Sequence, residues 1–287
     1  MNKLAVAGIG VGAVAIGLYA GVSIYTSKAA EARIDGLIAD VDDTVVVEYG
    51  SAKVSLLGQN LTVNDIQVAP VEAPDQVVNI DKIIVREYDD QSDFPTVVDA
   101  SIKGIQVEPE QANVAMIAPL LSQAGYSDAL DLDTRYTYDE TSGDMTLEKF
   151  RFGADDLGYF EVTFQLGNFD PAATTNDALT LNAAEIVYQD QSFVKNLIAS
   201  MAAQSNQDVK AFKTQLTSGI TQNAQFFMPT NSPIATTALQ EATAFIENPK
   251  GFSISANPQQ PLLVSDLAAA ADPAVMMEML NLKIEAY

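Results

Sequence analysis

The chain has 287 residues, with 15 Lys+Arg against 38 Asp+Glu and a formal charge of −23 at pH 7. It contains no Cys, no His and no Trp. Without Cys there is no disulfide framework, thiolate nucleophile or Cys-ligated metal centre. Without His a Ser-His-Asp triad cannot be built and the commonest metal ligand is missing. A chain this acidic repels phosphate backbones, so no nucleic-acid partner is expected. With Cys and His absent, no cofactor or metal is expected either. Hydrophobic residues make up 48% of the chain, enough to fill a core and to set disorder aside for its bulk.

Leu4 to Tyr25 carries no charge. At about 1.5 Å per residue, 22 helical residues reach roughly 33 Å, the span of a bilayer core. The length favours an uncleaved anchor. Ala30-Glu31-Ala32 offers the alternative of signal-peptide cleavage, although signal cores usually run about 7–15 residues. Gly8/Gly12 and Gly17/Gly21 are one-turn pairs of the kind that let helices associate in lipid. Gly8-Ile9-Gly10-Val11-Gly12 follows no strand and is not read as a phosphate loop. With a short N-terminal tail, this anchor predicts a single-pass inner-membrane protein with its bulk in the periplasm.

Residues 29–38 continue as a helix, and the acidic run Asp40, Asp42, Asp43 ends it. The apolar period then falls from about 3.6 to 2, and strands follow. One spacing recurs: two apolar residues at alternate positions, a two-residue gap, then two more. It appears as Leu61, Val63, Ile66, Val68; as Val78, Ile80, Ile83, Val85; as Ala100, Ile102, Ile105, Val107; and as Met145, Leu147, Phe150, Phe152. Side chains alternate faces along a strand, so a two-residue gap moves the second pair to the opposite face. A bulge at Asn64-Asp65, Asp81-Lys82, Lys103-Gly104 or Glu148-Lys149 would restore a common face and curve the sheet. The alternative is two short strands joined by a turn at each gap.

Pro109 to Ala124 reads as a helix with Val114, Ile117, Leu120 and Leu121 on one side. Strands follow at 130–138, 144–152, 159–168 and 179–188. Residues 192–247 are helical, with the second helix capped by Ser205 or Asn206. A strand at 252–256, two short helices starting at Ser265 and at Asp272-Pro273, and a last strand at 280–286 close the chain. The fold class expected is α+β: an N-terminal transmembrane helix, then a curved, mostly antiparallel β-sheet domain with a helical insert. Its segments are 1–40 (anchor and extension), 41–125 (β-rich with a closing helix) and 126–287 (β-rich, insert 192–247).

The acidic clusters Asp40/Asp42/Asp43 and Asp89/Asp90/Asp93 lack the spacing of a calcium loop and read as solvated turns. Paired carboxylates could serve a hydrolase, but spacing in sequence does not establish their separation. Lys195, Lys210 and Lys213 read as a solvated helix face.

The strand Leu61-Thr62-Val63-Asn64-Asp65-Ile66-Gln67-Val68 and the stretches Asp144 to Phe150 and Asn248 to Ile254, behind one N-terminal span, resemble the AsmA-like and YdgA-like envelope proteins of Gram-negative bacteria. The resemblance implies a curved sheet with an apolar inner face, placed in the periplasm and linked to lipid or envelope homeostasis. It carries no catalytic residues. The chain departs from AsmA-like members in its shorter length and in the helical region 192–247.

The function expected is non-enzymatic binding of lipid or another apolar ligand along a β-groove. The groove candidates are Leu61, Val63, Ile66, Val68, Ile80, Ile83, Val85, Ile102, Ile105 and Val107; Gly8, Gly12, Gly17 and Gly21 are candidates for membrane-helix association. The expected partners are membrane lipid and a homo-oligomer or membrane protein complex. The alternative is a structural or assembly subunit of a membrane-associated oligomer.

Overall fold

The computed structural model describes residues 28, 31, 34–36, 38, 45–55, 60–75, 77–89, 94–106, 129–173, 175–227, 233–270 and 272–287. The described chain is mostly antiparallel β-sheet, with twelve strands. This corrects the expected fold class, localisation and single-pass anchoring. Among the described residues no helix is long and apolar enough to cross a membrane. The longest, at 19 residues, is broken up by Lys210, Lys213 and a series of Thr, Gln and Asn side chains. The expected span 4–25, with Gly8, Gly12, Gly17 and Gly21, lies outside the described residues, as does the expected helix 109–124.

The chain divides into two compact units, one formed by residues 1–122 and 126–137, the other by 123–125 and 138–287. In the first unit, β1 (Val45–Glu48) and β2 (Ser51–Val54) both pair with β3 (Leu61–Pro70). The sheet continues through β4 (Val78–Tyr88), β5 (Val97–Gln106) and β6 (Leu130–Asp139). The recurrent gap acquires a geometric reason here. Asp65 sits at φ +55° and Gly104 at φ +72°. Asn64 faces Lys82 and Lys82 faces Lys103, while Ile66 faces Ile80 and Ile80 faces Ile105. The irregularity falls at one level across β3, β4 and β5, so neighbouring strands stay in register and apolar residues on both sides of it keep one face.

In the second unit, β7 (Asp144–Ala154), β8 (Gly158–Gly167), β9 (Thr180–Asp190), β10 (Gly251–Ala256) and β12 (Leu282–Ala286) pair in that order, and β11 (Leu262–Leu263) adds to the start of β9. Between β9 and β10 lie α1 (Phe193–Gln204), α2 (Val209–Phe227) and α3 (Pro233–Glu247); α4 (Val264–Ala269) and α5 (Pro273–Met279) precede β12. Buried Asp190 starts α1: its Oδ1 accepts from the Val194 N–H at 2.8 Å and from the Tyr188 hydroxyl at 2.7 Å. Asp208, rather than Ser205 or Asn206, caps α2, accepting from the N–H groups of Lys210 and Ala211 at 3.0 Å. The helices bury Ile198, Ala202 and Phe212 against Val194 and Leu216. Phe245 of α3 stands edge-on to Phe252, with ring centroids 5.4 Å apart, and to Tyr188 at 6.0 Å, so α3 covers the sheet at its β9–β10 end.

Candidate functional site

The described groove candidates are core residues. Leu61, Val63, Ile66, Val68, Ile80, Ile83, Val85, Ile102 and Ile105 are all buried, none more than 8% exposed. A ligand could reach them only by displacing their packing. Val107 lies outside the described residues, as do Gly8, Gly12, Gly17 and Gly21. The structure brings the nine together on one sheet face with Val45, Val47 and Ala100, where they act as interior.

The other face of β4–β6 carries charge. Asp99 accepts from Arg86 at 2.9 Å and Arg135 at 3.2 Å, and Arg135 also reaches Glu87 at 3.8 Å. Lys103 lies 3.1 Å from both Asp131 and Asp133. Between them, fully buried Ser101 donates to Asp133 and accepts from Arg86 at 2.7 Å. Burial pushes the Lys103 ammonium down, but its bonds to Asp133 and Asp131 outweigh that and hold it above the ordinary lysine value. An inaccessible hydroxyl beside a firmly protonated lysine is not a nucleophile–base pair. The cluster is a cross-strand ladder whose partly exposed ion pairs each contribute at most about 1 kcal/mol.

Helical residues 31, 35 and 38 and the β1–β2 turn border an open depression of about 790 Å³. Glu31, Asp35 and Glu48 make it acidic, and the Tyr49 hydroxyl donates to Asp35 Oδ1 at 2.8 Å. Burial first, then the bond to Asp35, pushes the Tyr49 phenol up to about 12. Among the described residues no group of His, Cys, Asp or Glu is arranged to hold a metal ion.

The second unit places its apolar residues differently. Cross-strand register sets them in rows on one face. Phe152, Phe160, Tyr188 and Phe252 form the first row; Phe150, Val162, Ile186, Ile254 and Ile284 the second; Leu147, Phe164, Ala184, Ala256 and Leu282 the third. A bulge in β7 between Leu147 and Phe150 keeps both on this face. The opposite face is mostly polar, with Arg151, Glu161, Val187, Ser253 and Glu285 in one row and Thr163, Glu185, Ser255 and Lys283 in the next. The Arg151 guanidinium stands 3.6 Å from the Tyr159 ring centroid on that polar side.

What separates this apolar face from the core of the first unit is its cover. α3 packs on β10 and β12 and α1 on β9. At the β7–β8 end, Phe150 and Phe160 are each 37% exposed, and Phe152, Val162 and Phe164 are only half-buried. Burial of a phenylalanine is strongly favourable, and here a run of apolar side chains is left partly wet across two neighbouring strands. None of these five residues is among the groove candidates read from sequence. The alternation Phe150-x-Phe152 and Phe160-x-Val162-x-Phe164 was the available signal, but alternation looks the same whether the face is covered or open.

A family model described as "Uncharacterized protein" matches residues 151–287, a span that runs from mid-β7 to the last strand and includes Phe152, Phe160, Val162 and Phe164. No curated protein matches the chain.

Proposed function

We propose that the protein is a non-enzymatic binder of apolar ligands of the acyl-chain class, and that they lie along the β7–β8 end of the second unit's apolar face. The observation that carries this reading is the paired 37% exposure of Phe150 and Phe160 on adjacent strands, flanked by half-buried Phe152, Val162 and Phe164. Strands of 11 and 10 residues make the strip elongated, the shape that accepts a linear chain. Coverage by a second copy is disfavoured because each copy carries −23. The likeness to AsmA-like and YdgA-like proteins supports the same reading. Native mass spectrometry after incubation with dodecyl maltoside, a C12 chain on an uncharged head, tests it. A saturable one-to-one adduct is expected, and its absence at concentrations just below micelle formation would refute the proposal.

A further inference from the structure

The apolar strip has a definite length and two unlike ends. Resting on the reading above, we infer that its ligand is a single linear chain of about sixteen carbons, with its methyl end at Phe152 and Phe160 and its polar head at the start of β7. Register adds a fourth apolar row to the three already described: Met145, Leu166, Leu181 and Leu262. Phe160 to Leu166 is a six-residue advance along β8, about 20 Å at about 3.4 Å per residue. A zigzag of roughly 1.5 Å bonds advances about 1.25 Å per carbon, so about sixteen carbons span the four rows. The partly exposed portion is two strands wide, with about 5 Å between the strands, which leaves room for one chain. Every β7 and β8 member of the rows is apolar, so a polar group in mid-chain would find no partner there. Past Phe160 the register reaches Ala154, Gly158 and Asp190. There Leu157 is 4% exposed and its carbonyl already accepts from the N–H groups of Gln191, Ser192 and Phe193. The buried Asp190 carboxylate is taken by Tyr188 and Val194. Asp155 and Asp156 are exposed, but they lie beyond Leu157 at the tip of the turn. Past Leu166 and Met145 the strands run directly into turns whose Thr141, Ser142 and Asn168 are exposed. A head placed at this second end stays hydrated, whereas at the first it meets polar groups whose bonds are already made. The barest apolar side chains, Phe150 and Phe160, also lie toward the methyl end.

A series of n-alkyl maltosides from C8 to C18 tests this by competitive native mass spectrometry, in pairs and below the lower micelle concentration of each pair. A chain on an open strip touches protein on one side only, so affinity is expected to rise about fourfold for each two methylenes up to about C16 and to stay level at C18. Leu166→Ser, and separately Met145→Ser on the facing strand, should lower that plateau to about C12 and leave C8 binding unchanged. Phe160→Ser should weaken every length by a similar factor. Affinity that climbs at the same slope through C18, or fourth-row variants that weaken C8 as much as C16, overturn this inference while leaving the apolar-face reading intact. A Phe160→Ser protein that weakens only the long chains reverses the direction of the ligand and also overturns it. If no length gives an adduct, the apolar-face reading fails and takes the inference with it.

Discussion

Replacing Phe160 by Ser tests the proposed face most directly, because its effect can be worked from the structure. A phenylalanine side chain has roughly 200 Å² of surface. Its 37% exposure leaves about 75 Å² for a ligand to cover. At about 25 cal/mol per Å² that contact contributes about 2 kcal/mol, or roughly 25-fold in Kd. Phe150 has the same exposure, so Phe150→Ser should cost a similar factor. Val162 pairs with Phe150 and adjoins Phe160 along β8, so the two losses will combine to less than their product. The part of Phe160 already buried, about 125 Å², contributes about 3 kcal/mol to folding, and that portion appears as lost stability in the variant. Affinity and folding must therefore be read separately: calorimetric titration with dodecyl maltoside for the first, a far-ultraviolet circular dichroism melt for the second. Thr163→Ser, three residues along β8 on the polar face, should change neither. A Phe160→Ser protein that melts cooperatively yet binds within twofold of the parent would refute the assignment of the face.

Three further expectations concern the first unit and the helices. Ile83→Ala, at a position 1% exposed, should lower the unfolding free energy by about 2–5 kcal/mol in urea titrations and leave dodecyl maltoside affinity of the folded protein unchanged; a loss like that of Phe160→Ser would move the ligand to the first unit. Gly104→Ala should destabilise by about 1–3 kcal/mol, since φ is +72° and a Cβ would stand 2.1–2.6 Å from Asp81 side-chain atoms, whereas Gly219→Ala on α2, with nothing within 4 Å, should stabilise by about 0.5–1 kcal/mol; denaturant midpoints of the two variants moving the same way would contradict this. Burial, joined for Tyr49 by its bond to Asp35 and for Tyr136 by Tyr88, raises both phenols to about 12 in the folded chain, against 10.0 for the free group. The folded state then holds these protons longer than the unfolded one, so their contribution is complete below about pH 10 and is lost as pH climbs to about 12. Stability measured by chemical denaturation should fall across that window, and phenolate absorbance should show Tyr49 and Tyr136 ionising late, together with Tyr188, whose burial and bond to Asp190 also push its phenol up; a flat profile from pH 10 to 12 would contradict the environments assigned to them.

The strand signals were local and therefore readable. Alternation in Leu61-Thr62-Val63 and Ile66-Gln67-Val68 follows directly from side chains pointing to opposite faces, and the two-residue gap between them marks the place where the backbone departs from that alternation. The helices of 193–247 announce themselves by a 3.6-residue stripe that ends at Asn248-Pro249. The cap of α2 was misplaced by two or three residues because Ser205, Asn206 and Asp208 are all capable acceptors, and only the chain's path selects Asp208. The membrane reading of residues 4–25 rests on composition alone, and no helix among the described residues carries it into the fold.

Sequence by itself determined the chemistry this chain lacks, its −23 charge, its β-rich character and the periodicity of its apolar residues. Those properties depend on residue identity and on neighbours a few positions away. Only the tertiary structure decided which apolar rows are interior and which are surface. Val63 and Phe160 sit in equally good alternating strands, yet one is 0% exposed and the other 37%. Cover comes from elements distant in the chain, here α3 with Phe245 over Phe252 and Tyr188. A strand's pattern records that one face is apolar; it holds no information about whether anything lies on top of it.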